Sequence, residues 1–213
     1  MHGYRGFFER DLNGDIFRCF ALGRNALLVD HRAHGWSDGH VITFGVNESR
    51  DCRTWVDLIL REIDPDARII IGGVSMGAAT VMIAAGEEMP PQVVGALADC
   101  GYSSAREIIK KVIAERGYPV EPVYFFARLG GRLYGKFDVE ERSPIEAMKK
   151  CRIPVILLHG DNDDFVPFSM SEACYEACVA KKRLGAIPGA GHGLAFPADK
   201  ELYLREVGEF FGI

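Results

Sequence analysis

Residues 68–77 read Arg68-Ile69-Ile70-Ile71-Gly72-Gly73-Val74-Ser75-Met76-Gly77, and small or apolar side chains continue through Ala84 and Ala85 before Pro90-Pro91 stops the run. The apolar segment up to Val74 has the length and β-branched content of a buried strand. The segment from Met76 to Glu88 has the length and small residues of a helix packed tightly against a sheet. Ser75 therefore falls at a strand-to-helix junction, inside a G-x-S-x-G pattern. A tight turn there crowds the backbone two residues to either side, which accounts for glycine at 73 and 77. It also lifts the serine hydroxyl over the sheet edge, beside the free N–H groups of a helix N-terminus. The plain alternative is a capping serine in a glycine-rich turn.

Outward from this point, strands and helices alternate. Ala26–Asp30 is expected to be a short buried strand, followed by a helical spacing in Cys52, Val56, Ile59 and Ile63 that Asp64-Pro65 ends. Val93–Ala98 and Pro154–His159 read as further strands, Lys182–Ile187 as a weaker one, and Leu202–Phe211 as a closing amphipathic helix. Such alternation implies right-handed crossovers and a mainly parallel, doubly wound α/β sheet covered on both faces. Residues from about 104 to about 150 exceed what one crossover helix needs. They place Ile108, Ile109, Val112 and Ile113 at helical spacing, then scatter Tyr118, Tyr124, Phe125, Phe126, Tyr134 and Phe137 among glycines and prolines. This segment reads as a helical insertion over the C-terminal edge of the sheet, where open α/β sheets bind ligands. Its aromatics would pack the insertion's own core or face a substrate.

The chain has 213 residues, enough for one domain carrying an insertion. It is 48% hydrophobic and 26% charged, which excludes a disordered chain. The net charge is −5 and the lysines come as scattered pairs (Lys110-Lys111, Lys149-Lys150, Lys181-Lys182), which argues against nucleic acid as a partner. No apolar run reaches the roughly 18 residues of a membrane span. Arg5, Glu9, Arg10 and Asp11 break any apolar signal core, so a cytoplasmic location is expected. Of the six cysteines, Cys19, Cys52, Cys100 and Cys151 stand alone and read as small buried hydrophobes. Cys174 and Cys178 could share a helix face, but with no second His/Cys pair at ligand spacing nearby, no metal or other cofactor is expected.

A serine hydroxyl needs a base to act as a nucleophile, and the base needs an orienting acid. His192, in Pro188-Gly-Ala-Gly-His-Gly193, lies in a glycine-dense loop free to reach across the sheet edge. His31 and His34 read as holding their own loop together, His40 as surface, and His159 as a satisfied buried histidine. For the acid, Asp161, Asp163 and Asp164 cluster after the fourth strand and Asp99 ends the third, and spacing does not choose among them.

Six segments taken together resemble the α/β-hydrolase superfamily of serine hydrolases, and within it the bacterial cap-bearing esterases and lipases and their acyl-thioesterase relatives. They are His2-Gly-Tyr-Arg-Gly6, Asp30–Gly39, Gly73-Val-Ser-Met-Gly77, Asp99-Cys-Gly-Tyr-Ser103, His159–Pro167 and Gly189-Ala-Gly-His192, and they follow the family's order along the whole chain. The resemblance implies a single α/β-hydrolase domain over residues 1–213, with the insertion as a helical cap. It implies Ser75 as nucleophile, Asp163 as acid and His192 as base, with the backbone N–H groups of Tyr4 and Met76 as oxyanion donors. It further implies cleavage of a small carboxylic ester or thioester through an acyl-enzyme. Acyl transfer and a non-catalytic ligand- or partner-binding role are the alternatives. Family members carry an apolar strand directly before the His-Gly pair and two strands before that. Only Met1 precedes His2 here, so the expectation is a fold lacking its N-terminal strands.

Overall fold

The structure, a computed structural model, describes residues 1–11 and 13–213. Short helices α1 (Phe8–Asp11) and α2 (Asn13–Ala21) open the chain, and α3 (Glu48–Leu58) runs on as a π-helical turn, Ile59–Ile63. The sheet is built from β1 (Ile69–Val74), β2 (Val93–Asp99), β3 (Val155–Gly160) and β4 (Lys182–Ile187), parallel throughout and in the order β1-β2-β3-β4. Helix α4 (Met76–Ala85) links β1 to β2, and α8 (Phe168–Ala177) links β3 to β4. Helices α5 (Ala105–Glu115), α6 (Val120–Gly130, continuing as a π-helical turn Gly131–Gly135) and α7 (Pro144–Met148) lie between β2 and β3. The short α9 (Ala195–Ala198) and α10 (Lys200–Phe211) complete the chain.

The period-two alternation of a strand assigns the core residues to two faces. Ala96, Ala98, Val155 and Leu157 point to one face, where they meet Cys52 and Val56 of α3, Val81 and Met82 of α4, and Cys174 of α8. Leu97, Ile156 and Leu158 point to the other, against Tyr203, Val207 and Phe210 of α10. Consecutive right-handed crossovers place α4, α7 and α8 on one side, so the terminal helix is left to cover the second. Local chemistry fixes the helix starts. Ser104 accepts from Glu107 N at 3.2 Å and Ser143 from Glu146 N at 3.4 Å, each a Ser-x-x-Glu capping pair, and Asp199 accepts from Leu202 N at 2.9 Å.

The expected strand at Ala26–Asp30 does not form. The segment belongs to no ladder. A groove of about 670 Å³, walled by residues including Leu27, Val29, Val56, Ile70, Leu97 and Val207, separates it from β1. A ladder needs its neighbour about 4.8 Å away. The outer edge of β1 instead meets Met1, whose amine donates to Gly72 O at 2.8 Å and whose carbonyl accepts from Val74 N at 3.1 Å, one rung of a parallel ladder.

The stretch between β2 and β3 packs in two places. Helix α7 lies on α4 and α8 within the layer that covers the sheet. Ile108 and Ile113 of α5 and Tyr124 of α6 instead join Tyr102, Met76, Ala79 and Val166 in a separate cluster at the C-terminal end of β1. Phe125, Phe126, Leu133 and Tyr134 remain exposed, because successive residues of one helix cannot all face inward. Leu157, with no accessible surface on the central strand β3, is expected to cost about 2–5 kcal/mol when cut to alanine. Urea unfolding of both variants should show that loss for Leu157→Ala and keep Phe126→Ala within about 0.5 kcal/mol of wild type.

Candidate active site

The junction of β1 and α4 holds Ser75 at φ 57° and ψ −117°, outside the regions that L-residues favour. Its neighbours explain why the strain persists. A Cβ on Gly73 would lie 2.3 Å from the backbone of Gly77, and one on Gly77 would lie 2.2 Å from the carbonyl oxygen of Met1. Strand, helix and N-terminal loop therefore close on the turn, and Ser75 N donates to Asp99 O at 2.8 Å to tie it to β2. Met76 is the first residue of α4, so its N–H has no acceptor within the helix.

His192 reaches the serine from the loop after β4. Its Nε2 is 2.9 Å from Ser75 Oγ, and its Nδ1 is 2.7 Å from Asp163 Oδ2. A carboxylate can only accept, so Nδ1 carries the ring proton and Nε2 accepts from the serine hydroxyl. Asp163 follows β3 and is buried. Its Oδ1 accepts from Phe165 N at 2.9 Å and Val166 N at 2.8 Å, and its Oδ2 accepts from both His192 and His159. Burial alone would raise its pKa, but the bonds from His159 and His192 and the backbone N–H of Val166 outweigh it and hold the carboxyl well below the usual range.

His159 is the buried, satisfied histidine the sequence suggested, and it does one thing more. Its Nε2 faces Asp163 Oδ2 at 3.1 Å and Val166 O at 2.9 Å, so it donates there, while Nδ1 accepts from Ser171 Oγ at 2.7 Å. Ser171, on α8, thus sets the tautomer of a ring that steadies the carboxylate. Nothing in the spacing marks Ser171. The rival Asp99 points elsewhere: its Oδ2 accepts from Tyr203 OH at 3.0 Å and lies 3.7 Å from the buried Arg18.

The N-terminal loop is locked by a reciprocal pair of histidines. His31 N donates to His2 Nε2 at 2.9 Å, and His31 Nε2 donates to His2 O at 3.1 Å. His2 Nδ1 donates to Gly3 O at 2.8 Å, and Arg5 N donates to His34 Nε2 at 3.1 Å. This holds Gly3 against the turn at Ser75, where an added Cβ would sit 3.5 Å from Ser75 Cβ, and it places Tyr4 next in the chain. The Tyr4 side chain lies outside, stacked on Phe44 at 5.4 Å. Burial lowers the pKa of His2 and, more strongly, of His31, and the geometry agrees: a proton on His2 Nε2 would face the His31 N–H.

The comparisons with known proteins agree with this architecture. Fold and site define an α/β-hydrolase. The model of the prolyl oligopeptidase family matches residues 30–212, and the chain belongs to that family. The Bacillus subtilis protein YqkD is 30% identical over 190 residues, 89% of this chain and 62% of that protein. The YfhR protein of Escherichia coli K12 is 25% identical over 173 residues, 81% of this chain and 54% of that one. The chain thus spans little more than half the length of these relatives. Among solved structures, the Pyrococcus furiosus esterase Pf2001 superposes with a TM-score of 0.79 at 23% identity, covering 100% of this chain and 80% of that one. A monoacylglycerol lipase from Paleococcus ferrophilus gives 0.69 at 21% identity over 99% and 91%. Among the described residues, no helix is long and apolar enough to cross a membrane.

Gly77→Ala should displace the Met1–His2 backbone, with about 1–3 kcal/mol lost in thermal or urea unfolding. The two histidines set a pH dependence. Their folded pKa values lie below the ordinary 6.5, so the unfolded chain binds more protons and stability falls as pH drops through that value. The melting temperature should decline between pH 7 and pH 5, and His31→Gln, which cannot titrate, should flatten the slope.

Proposed function

We propose that the chain is a serine hydrolase that cleaves small carboxylic esters or thioesters through an acyl-enzyme. The observation that carries this reading is the continuous chain from Ser75 Oγ to His192 Nε2 at 2.9 Å and from His192 Nδ1 to Asp163 Oδ2 at 2.7 Å. Ser75 Oγ attacks the acyl carbonyl carbon as its proton passes to Nε2. Asp163 orients the ring and stabilises the imidazolium, which then protonates the leaving group. Water deprotonated by the same nitrogen attacks the acyl-enzyme and regenerates the serine. The N–H of Met76 and the N–H of Tyr4 serve as oxyanion donors, and losing such a donor typically costs about 10²–10³ in turnover.

Residues 104–150 act as a cap in this reading. The exposed aromatics of this segment, among them Phe125, Phe126 and Tyr134, favour an apolar acyl or alcohol group. Ester or thioester turnover across an acyl-length series, with product analysis in the presence of an added alcohol or amine, separates hydrolysis from acyl transfer.

Ser75→Ala should abolish ester turnover while leaving the melting temperature near that of wild type. Intact-mass analysis after a fluorophosphonate should show one adduct on the wild type and none on the variant. A folded wild-type chain that takes no adduct and turns over no ester would identify a binding protein instead.

A further inference from the structure

Cys100 directly follows β2 and carries φ 47°, a left-handed backbone that a non-glycine side chain rarely adopts. The strain is held in place by a bond from Cys100 N to Leu158 O at 2.8 Å. Its effect is to aim a fully buried thiol at the back of the serine site, against the backbone N–H groups of Gly193 and Ser75. There the sulfur, a carboxylate oxygen of Asp163 and a ring nitrogen of His192 all lie within 4.8 Å of one another. The hydrolytic chemistry above makes no use of this thiol.

Thiolate, imidazole and carboxylate together are the donor set of a thiophilic divalent cation such as Zn²⁺, whereas Mg²⁺ and Ca²⁺ take oxygen ligands. Bond lengths of about 2.0–2.3 Å put the ligands of one tetrahedral ion roughly 3.3–3.8 Å apart, so His192 Nδ1 and Asp163 Oδ2, 2.7 Å apart without a cation, open slightly to admit the ion as the sulfur closes on it. A water would supply the fourth position.

We propose that Cys100, Asp163 and His192 form an inhibitory site for Zn²⁺ or a similar soft cation, which switches the hydrolase off. The inhibition, though not the binding, rests on the base role assigned to His192. The nitrogen facing Asp163 is Nδ1, 2.7 Å from the carboxylate. When Nδ1 gives its lone pair to the metal, its proton leaves and the neutral ring carries its proton on Nε2 instead, through exchange with solvent. Nε2 then donates toward Ser75 and cannot accept its proton. The Cys100 thiol loses its proton to solvent as the sulfur–metal bond forms, so one proton is released per ion and nothing is oxidised or reduced. Burial, with Asp99 and Asp163 nearby, keeps the thiol protonated in the absence of a cation.

The test uses the full chain with Cd²⁺ as a spectroscopic probe and Zn²⁺ as inhibitor. Wild type and the control Cys178→Ser should each develop a stoichiometric ultraviolet thiolate-to-Cd²⁺ band, and Cys100→Ala should not. Zn²⁺ should inhibit ester turnover, with the inhibition constant raised at least about tenfold in Cys100→Ala, whose metal-free turnover stays within about twofold of wild type. Cys100→Ser replaces the alanine variant if the latter does not fold. A Cd²⁺ band that survives without Cys100, or no band in wild type, overturns the site. Equal zinc inhibition with and without Cys100, or a Cd²⁺ complex that still turns over ester, overturns the switch. If the chain hydrolyses no ester at all, the Cd²⁺ band still decides the site, and the hydrolase reading fails separately.

Discussion

The backbone at Ser75 is the constraint on which the rest of the molecule depends. A positive φ on a non-glycine residue stores strain, and it survives only when packing on every side over-determines it. Here β1 enters from below, α4 leaves above, β2 binds the Ser75 amide, and the Met1–Gly3 loop lies against Gly77 and the serine Cβ. The strand–helix contact requires the missing side chain at Gly73, and the helix–loop contact requires it at Gly77. The geometry that exposes the hydroxyl is therefore the geometry that joins strand, helix and N-terminal loop.

Around that turn, the site is organised as histidines grouped about one buried carboxylate. His192 meets the serine and shares the Asp163 carboxylate with His159, and Ser171 fixes the His159 ring from α8. On the other side, His2 and His31 hold each other through one backbone N–H and one carbonyl, an arrangement that works only while the His2 ring is unprotonated. The burial that lowers their pKa values is thus a condition of the lock. The carboxylate, by contrast, is kept ionised despite burial because four donors converge on it.

The edge of the sheet tells a complementary story. Ala26–Asp30 has strand composition, yet it faces β1 only across a groove and has no ladder partner. Apolar composition makes a segment able to join a sheet, and hydrogen-bonding neighbours decide whether it does. Met1, with its single rung on β1, shows what that edge accepts.

The sequence by itself determined the alternation of strand and helix, the place of the turn at Ser75, and the need for glycine on either side, because these follow from local periodicity and backbone sterics. The bounds of β4, and those of β1 to within one residue, were legible for the same reason. Spacing alone did not choose Asp163 over Asp99, Asp161 and Asp164, and only the family resemblance pointed to it. All lie near strand ends, and only the crossing of β3 beside the His192 loop sets one carboxylate at 2.7 Å from the ring, while Tyr203 and Arg18 occupy Asp99. The same holds for Ser171, the His2–His31 lock, the orientation of Cys100 and the unpaired Ala26–Asp30. Each depends on which distant residue arrives alongside, a non-local fact that tertiary packing alone decides.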